Sequence, residues 1–332
     1  MIVSASRRTD IPCYYSDWFI NRLKEGYVLT RNPMNHSQVS RISLSPDLVD
    51  CIVFWTKDPK NIIPHLKNID NMGYKYYFQF TLTPYDCTIE KNMRDKNQIV
   101  NTFIELTNLI GKERVLWRYD PIILNNRLSV DYHLEQFLQL CERLHSYTES
   151  VTISFVDYYK KLKTDIIRDI TEEEITELSM FIGQTAKDYE LDVKACSEKT
   201  DLTAYGIEKA SCIDKGIIEK VCGHKLDVKQ DKNQREYCGC VESIDIGTYN
   251  TCNNGCVYCY ANYSEKSVAA NMKRHNINSE MLNDTLKAGE GVIERKVKSY
   301  KSDQIELPSV VHNVRIPSKP IDKMEKICKN TL

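Results

Sequence analysis

Three cysteines on one short stretch carry the most specific chemical signal in this sequence. They are Cys252, Cys256 and Cys259, spaced C-x3-C-x2-C, with Gly255 just before the second cysteine. Three thiolates on one loop can bind three irons of a [4Fe–4S] cubane and leave the fourth iron open to a small chelating molecule. Gly255 lets the loop turn where a side chain would clash. The spacing therefore predicts a [4Fe–4S] cluster with one open iron.

A second group of cysteines precedes this motif. Its members are Cys196, Cys212, Cys238 and Cys240. Four cysteines can complete an iron–sulfur cluster with no open iron, so we expect an auxiliary cluster that relays electrons or anchors substrate, with Cys222 as a spare ligand. Two alternatives stay open. Some of these residues could be buried thiols only, or structural zinc could bind the Cys256–Cys259 knuckle together with the tighter C-x-C pair.

The cysteine content and the charge narrow the class of protein. The sequence has 13 cysteines in 332 residues, an odd number that disulfides cannot pair completely within one chain. It begins without a basic segment followed by an apolar one, so we expect a cytoplasmic protein, in which clustered cysteines usually bind metal. No apolar run is long enough to span a bilayer. The formal net charge of −1 makes neither a membrane nor nucleic acid an expected partner, although a local basic patch could still bind nucleic acid.

Short strands alternate with helices along the chain. The predicted strands, apolar almost throughout as in a sheet covered on both faces, are residues 1–6, 27–31, 51–57, 76–81, 115–120, 151–157, 191–196 and 243–248. The predicted helices are residues 17–24, 99–110, 134–144, 172–186 and 264–273. This alternation favours an α/β fold with a complete or partial (β/α)8 barrel over residues 1–296, and a doubly wound open sheet is the alternative. Residues 297–332 are polar and are predicted to form a loosely packed or disordered tail.

Polar residues follow the carboxyl ends of nearly all these strands. The candidates for catalysis among them are Arg7, Arg8, Asp10, Arg31, Lys57, Gln79, Arg118, Asp120 and Asp157. In a barrel these ends converge on the face where active sites are built. Guanidinium groups suit a carboxylate or phosphate of the substrate, and the aspartates suit acid–base catalysis or ribose binding. The alternative for each arginine next to an aspartate is a structural ion pair.

The cysteine motif resembles the hallmark of the radical S-adenosylmethionine (SAM) superfamily, C-x3-C-x-aromatic-C, with Tyr258 as the aromatic residue. The resemblance implies that Cys252, Cys256 and Cys259 bind the cluster, that its open iron chelates SAM, and that Tyr258 lies near the adenine. One electron from the reduced cluster would cleave SAM to methionine and a 5′-deoxyadenosyl radical, which takes hydrogen from the substrate. The resemblance also implies an electron donor such as flavodoxin or ferredoxin.

The position of the motif in the chain differs from the one that this resemblance implies. In most of the superfamily the motif follows the first strand, whereas here it follows residues 243–248, the last predicted strand. A circular permutation explains this if residues 243–248 act as the first strand and residues 1–6 as the second. No Gly-Gly-Glu-like segment follows residues 1–6 to grip the methionine amino group, so polar residues among 4–10 would serve instead. The predicted cofactor-binding residues are Tyr258, Ser4, Ser6 and Asn262.

A narrower resemblance extends from the start of the chain to roughly residue 306. The segments SASRRTDIP, FWTKDP, YYFQFTLTPY, WRYDPI, ISFVD, KDKNQR and CGCVESIDIGTYNTCNNGCVYCYAN resemble the bacterial proteins called domain of unknown function 1848, a family noted for a C-terminal cysteine cluster like that of radical SAM proteins. We therefore expect residues 196–262 to form the cluster-binding region of an enzyme for a small or nucleotide-like substrate. The alternatives are an iron–sulfur protein for electron transfer or sensing without SAM cleavage, and a zinc-stabilised binding protein.

Overall fold

The computed structural model describes residues 1–156, 166–234 and 237–302, and Met1–Ser302 forms a compact unit. Its strands are β1 (Ile2–Ala5), β2 (Tyr27–Asn32), β3 (Asn35–Ser43), β4 (Cys51–Thr56), β5 (Tyr76–Thr81), β6 (Val115–Ile122), β7 (Ser150–Phe155), β8 (Asp192–Ala195), β9 (Ile207–Lys209), β10 (Ile244–Asp245) and β11 (Val292–Glu294). Its helices are α1 (Ile11–Tyr14), α2 (Ser16–Glu25), α3 (Leu66–Asn71), α4 (Lys96–Ile110), α5 (Val130–Leu144), α6 (Glu172–Asp188), α7 (Lys215–Cys222) and α8 (Glu265–Arg274).

The main sheet has eight parallel strands in the order β10-β1-β4-β5-β6-β7-β8-β9. The strands β1 and β10 lie side by side although they are far apart in sequence, with Val3 opposite Ile244 and Ser4 opposite Asp245. The permutation hypothesis requires these two strands to be neighbours. Within the described residues, β9 and β10 are the two edges of the sheet. The predicted α/β class with a large parallel sheet is confirmed.

The main sheet is buried because its strands are apolar on both faces. All residues of β1 and of β7 are buried, as expected for parallel strands that are covered on both faces. Aromatic side chains of neighbouring strands pack together in the core, where Phe54 stacks on Phe78 with 4.8 Å between ring centroids and meets Tyr76 edge-on at 5.8 Å. Each such pair adds about 0.5–1.5 kcal/mol beyond the burial of area. This packing fixes β4 and β5, whose carboxyl ends reach the site described below.

The predicted helices are present, and capping residues set their boundaries. Asp95 precedes α4 and accepts hydrogen bonds from the backbone N–H groups of Asn97 and Gln98. A capping box between Thr171 and Glu174 starts α6. The sequence pattern missed α1, α3 and α7, because helices of 4, 6 and 8 residues contain too few turns to show a period. No helix in the described ranges combines the length and the apolar character needed to cross a membrane.

Residues 27–31 do not belong to the main sheet, so their predicted place in a barrel is wrong. They lie in β2, which pairs antiparallel with β3, and β11 joins β3 on its other side. Only residues 33–34 connect β2 to β3, which suits an antiparallel hairpin and is far too short for a parallel crossover. The three-residue strand β9, which the sequence pattern missed, takes the remaining place in the main sheet.

The start of the predicted tail contacts the body of the protein. The Ser299 hydroxyl donates a 2.5 Å hydrogen bond to the Asp50 carboxylate, and the Tyr300 backbone N–H donates one of 2.8 Å. Lys301 forms an isolated antiparallel bridge with Leu226. The rest of the predicted tail, residues 303–332, lies outside the described residues, as does the candidate Asp157.

His133 on α5 is a buried histidine whose protonation opposes folding. Its Nδ1 lies 2.7 Å from the Tyr119 hydroxyl and its Nε2 lies 2.9 Å from the Ile123 carbonyl oxygen. Nε2 must therefore carry the proton, and Nδ1 accepts. Burial lowers the pKa of His133 from 6.5 to about 4. As pH falls, the unfolded chain takes up this proton first, so the stability present above pH 6.5 declines by about 1.4 kcal/mol per pH unit between these two pKa values.

We expect urea unfolding at a series of pH values to show this decline, and to show a smaller one in His133→Gln, which has no proton to gain. The slopes of the two proteins should differ between pH 6.5 and about 4 and should agree above pH 6.5. Parallel slopes over the whole range would contradict the role of His133.

Candidate functional site

The cysteine loop leaves the carboxyl end of β10 and is anchored to the segment that follows β5. The Asn92 backbone N–H donates to the Asn254 carbonyl oxygen at 3.1 Å, and Asn92 Nδ2 donates to the Asn253 carbonyl oxygen at 2.7 Å. Glu90 pairs with Cys256 in an antiparallel bridge. These backbone and amide contacts anchor one side of the loop, and its three cysteines line the neighbouring cavity.

Gly255 is a residue of this loop with little room for a side chain. Its φ of +68° lies in the left-handed region, and a Cβ would meet Asn92 Nδ2 and Lys91 Cβ at 3.1 Å each. We expect Gly255→Ala to destabilise the protein by about 1–2 kcal/mol in urea unfolding and to lower the iron bound after reconstitution. Gly206→Ala is the matched control, since Gly206 has a φ of +74° and nothing within 4 Å of a Cβ. Equal iron content in the two variants would contradict a crowded loop.

Glu90 is a buried carboxylate beside the loop that sequence reasoning missed. Its Oε1 accepts hydrogen bonds from Lys57 Nζ and Thr83 Oγ1, both at 2.8 Å. The Tyr258 hydroxyl donates to the same oxygen, and Lys96 Nζ donates to Oε2 at 2.5 Å. Burial alone would favour the neutral acid, but the two ammonium groups outweigh burial and lower the pKa of Glu90 to about 2. Glu90 thereby fixes Lys57 and Tyr258, two predicted site residues, next to the cysteine loop.

Asp10 connects the segment after β1 with the cysteine loop. Its Oδ2 accepts hydrogen bonds from the Lys57 backbone N–H at 2.8 Å and from Asn254 Nδ2 at 3.2 Å. Its Oδ1 accepts one from the Cys13 backbone N–H at 3.0 Å. Burial raises the pKa of Asp10 to about 6, although these hydrogen bonds favour the ionised form. A carboxyl group with such a pKa at a cavity wall is suited to take up or release a proton.

Asp245, at the end of β10, accepts hydrogen bonds from residues in β1 and just after it. Ser4 Oγ and Ser6 Oγ donate to its carboxylate at 2.8 and 2.6 Å, and the Arg7 backbone N–H donates at 2.8 Å. Arg8 Nε lies 4.0 Å from the same carboxylate. Sequence reasoning missed Asp245, although its place at the end of a predicted strand is the signal that could have found it. The hydroxyls of Ser4 and Ser6, predicted to bind the cofactor, are directed to this carboxylate.

The second group of cysteines comes together in one buried cluster. Cys196, Cys212, Cys238 and Cys240 are 7%, 5%, 8% and 1% exposed. The Sγ atoms of Cys196 and Cys212 lie 3.0 Å apart. The side chains of Cys212 and Cys238 both contact that of Cys240. Hydrogen bonds from the Cys240 side chain and backbone lower the pKa of Cys238 to about 6, so this thiol ionises more readily than an ordinary one.

Arg118 links this cysteine cluster to the end of β6. Its Nη1 lies 3.1 Å from Cys212 Sγ and 3.3 Å from Gln79 Oε1, and its Nη2 donates to Asp120. Gln79 Nε2 in turn donates to the Cys212 carbonyl oxygen at 2.7 Å. Although burial opposes ionisation, the Arg118 guanidinium keeps the pKa of Asp120 below its usual range. The structure thus brings three catalytic candidates together, and their catalytic role stays a prediction.

Arg31 differs from the other candidates in the sheet that carries it, although it lines the cavity described below. It lies on β2 in the smaller sheet, where Nε donates to Asp284 at 2.7 Å and the two terminal nitrogens donate to Glu290 at 2.8 and 3.0 Å. This arrangement is the structural ion pair that was the alternative for these arginines. Asn262, predicted to bind the cofactor, contacts the loop itself, since its Nδ2 donates to the Cys252 carbonyl oxygen at 2.6 Å.

A cavity of about 1520 Å³ joins these groups. Its lining includes the seven cysteines of the two groups together with Ser6, Arg7, Arg8, Asp10, Arg31, Lys57, Arg118, Asp120 and Tyr258. Ser4 and Gln79 are buried, at 0% and 2% exposure. The volume exceeds the roughly 300–1,000 Å³ of a typical ligand pocket. It therefore offers room for a cofactor and a substrate at once.

The side chains around the cavity offer sulfur ligands. In residues 1–156, 166–234 and 237–302, no three His, Cys, Asp or Glu side chains form a group able to hold a single metal ion. A cubane makes a different demand, because each thiolate binds its own iron at a separate corner. The cysteine loop provides three thiols on an anchored backbone, and the second group provides four buried ones. Soft thiolates select iron–sulfur clusters, zinc or copper(I), so the donor set fits an iron–sulfur cluster.

Comparison with known proteins gives a family but no activity. The family model described as "Domain of unknown function (DUF1848)" matches residues 2–261. No curated protein matches the chain. Among solved structures, a protein described as a "putative alpha-L-fucosidase" from Bacteroides thetaiotaomicron is similar at 8% identity, over 62% of this chain and 79% of that one, with a TM-score of 0.22. So low a score carries no argument, and the chemistry of the site must be read from its own residues.

Proposed function

The chain belongs to the DUF1848 family, and we propose that it is a radical SAM enzyme acting on a small, anionic or nucleotide-like substrate. Cys252, Cys256 and Cys259 would hold a [4Fe–4S] cluster beside bound SAM. When both are bound, the reduced cluster supplies the one-electron cleavage of SAM that starts radical chemistry. The observation that carries this proposal is the position of the cysteine loop, at the carboxyl end of β10 and directly beside the end of β1.

The strand order supports a permuted partial barrel. The order β10-β1-β4-β5-β6-β7-β8-β9 has no point of reversal, which a doubly wound sheet would have. It is the order of a barrel opened between β9 and β10. If β10 is counted as the first strand, the cysteine loop follows strand one, α8 follows the loop, and β1 becomes strand two. That is the arrangement the resemblance to radical SAM proteins implies.

The chain's own polar groups would hold SAM, since no Gly-Gly-Glu-like segment follows β1. Asp10 lines the cavity and offers a carboxylate for the methionine amino group. Arg8 lines the same cavity and offers a guanidinium for the methionine carboxylate. Tyr258 offers an aromatic face for the adenine, and Glu90 fixes the Tyr258 hydroxyl. Arg8 and Asp10 follow β1, and Tyr258 belongs to the cysteine loop. The contacts of Asp245 and Asn254 hold these two segments together.

Basic residues at the cavity favour an anionic substrate. Arg295, Lys296 and Lys298 are exposed and line the cavity. They belong to the segment after β11, next to the residues that anchor the chain to Asp50. A carboxylate or phosphate is the group that such side chains recognise. The substrate would then enter past these residues and present its reacting carbon to the bound SAM.

Anaerobic reconstitution followed by an assay for 5′-deoxyadenosine tests the proposal. We expect the full chain to turn brown with iron and sulfide, and then to release 5′-deoxyadenosine and methionine when SAM and dithionite are added. Omission of dithionite should abolish the release, because the cluster must first be reduced. A flavodoxin or ferredoxin would replace dithionite as the natural electron donor.

The alternatives give different results in the same assay. Iron-loaded protein that releases no 5′-deoxyadenosine would contradict SAM cleavage and favour an electron-transfer or sensing protein. Colourless protein that binds zinc in place of iron would contradict the cluster itself and favour a zinc-stabilised binding protein.

A further inference from the structure

We propose that Cys196, Cys212, Cys238 and Cys240 hold a second iron–sulfur cluster, with Arg118 and Arg7 as its positively charged neighbours. This centre is separate from the cysteine loop, and its existence does not depend on SAM cleavage. Four cysteine ligands leave no open iron. Its function would therefore be to accept and return one electron at the wall of the cavity, rather than to bind substrate.

The four cysteines reach this place from different parts of the chain. Cys196 directly follows β8, Cys212 lies between β9 and α7, and the other two precede β10. The backbone N–H of Ile213 donates to Cys240 Sγ at 3.3 Å, and Cys196 Sγ lies 3.0 Å from Cys212 Sγ. Four sulfur atoms from three segments therefore meet in one buried cluster.

Gly239, which lies between Cys238 and Cys240, packs closely against Ser211. A Cβ on Gly239 would lie 2.3 Å from Ser211 Oγ. A side chain at position 239 would displace the Ser211 hydroxyl, so glycine suits the close packing of the C-G-C segment against the residue that precedes Cys212. This packing holds the segment with Cys238 and Cys240 against the segment with Cys212. Cysteines that were merely buried would not need such close packing.

Two arginines place positive charge beside these sulfurs. Arg118 is 4% exposed, and its Nη1 lies 3.1 Å from Cys212 Sγ. Arg7 and Arg118 both lie over the Trp55 ring, with 5.2 and 5.4 Å from guanidinium carbon to ring centroid. Arg7 Nη2 is buried and has no hydrogen-bond partner among the described residues. Asp120 already pairs with Arg118, but neutral thiols would compensate the charge of Arg7 poorly. Four thiolates around an iron–sulfur core would form an anionic centre beside both guanidinium groups.

The contact between Arg118 and Cys212 has a redox consequence. A hydrogen bond to a cysteine sulfur favours the more negative, reduced state of a cluster and so raises its reduction potential. We therefore expect the second cluster to be reduced more easily with Arg118 than without it.

The variant with Cys252→Ala, Cys256→Ala and Cys259→Ala isolates the second centre. After anaerobic reconstitution of the full chain with iron and sulfide, we expect about 8 irons per wild-type chain and about 4 per chain of this triple variant, four for each cubane. Adding Cys212→Ala should remove the remaining iron and the colour. Adding Cys141→Ala should not, since Cys141 is an equally buried cysteine of the main core. Cys212→Ala alone should halve the iron of the otherwise native chain.

Several results would overturn the second cluster. They are a triple variant that is folded by circular dichroism and binds no iron, one colourless zinc ion per chain, a Cys196–Cys212 disulfide found by thiol counting, or unchanged iron in Cys212→Ala alone. None of them affects 5′-deoxyadenosine release by the wild type, so the two proposals fail separately. Arg118→Gln in the triple variant should keep the iron and shift the reduction midpoint to more negative values. An unshifted midpoint would overturn the role of Arg118.

Discussion

Replacing Cys256 by alanine should reduce the release of 5′-deoxyadenosine to the level seen without protein. The Cys256 thiolate is one of the three protein ligands proposed for the first cluster, and a cubane held at only two corners is not retained as a centre with a single open iron. The loss should appear in the rate at saturating SAM, because no electron reaches SAM without the cluster. The fold should survive, since the bridge between Cys256 and Glu90 is made by backbone atoms.

Cys87→Ala is the matched control for Cys256→Ala. Cys87 is an exposed free cysteine between β5 and α4, so its loss should leave iron content and 5′-deoxyadenosine release unchanged. Both variants should unfold in urea near the wild-type midpoint. Release of 5′-deoxyadenosine by Cys256→Ala would remove Cys256 from the ligand set and with it the radical SAM interpretation of the motif.

The cysteine loop could be predicted from sequence because its three cysteines lie within one short segment. Spacing of that kind is preserved whatever the chain does elsewhere. The same holds for β5, whose predicted bounds agree with the structure, because a continuous apolar run is a local signal. Glu90 gave no such signal. Its partners Lys57 and Tyr258 lie 33 and 168 residues away in sequence, and nothing local marks one glutamate of a polar loop as buried.

The strand that carries Arg31 shows where reasoning from the strand pattern fails. Arg31 lines the cavity, but from the smaller sheet and not from a strand of the main sheet. The partner of β2 is β3, which was missed because its buried apolar residues, Val39 and Ile42, are three positions apart in a polar segment. Without β3, residues 27–31 had no visible partner other than the main sheet. The pairing of β1 with β10 was likewise expected only through a family resemblance, since neither strand encodes its neighbour.

Glu90→Gln should cause the largest loss of stability among the substitutions considered for this site. The side chains of Glu90, Lys57 and Lys96 are only 1%, 12% and 26% exposed, and one carboxylate serves both ammonium groups. Glutamine has nearly the same shape but no charge, so two poorly solvated cations would face a neutral amide. Removing one partner of a buried ion pair costs about 3–5 kcal/mol. We expect a loss of this size in the free energy of unfolding in urea.

Glu265→Gln is the control that shows whether the loss of stability comes from the burial of the ion pair or from the loss of any ion pair. Glu265 also binds a lysine, Lys91, at 2.5 Å, but the two side chains are 82% and 51% exposed. Water already solvates such a pair, so this variant should unfold close to the wild type. The Glu90 carboxylate also holds the hydroxyl of Tyr258, which lies between Cys256 and Cys259 in the cysteine loop, so Glu90→Gln should bind less iron even at temperatures where it remains folded. Equal stability of the two variants would show that the buried network does not stabilise the fold, and full iron content in Glu90→Gln would show that the cysteine loop is positioned without it.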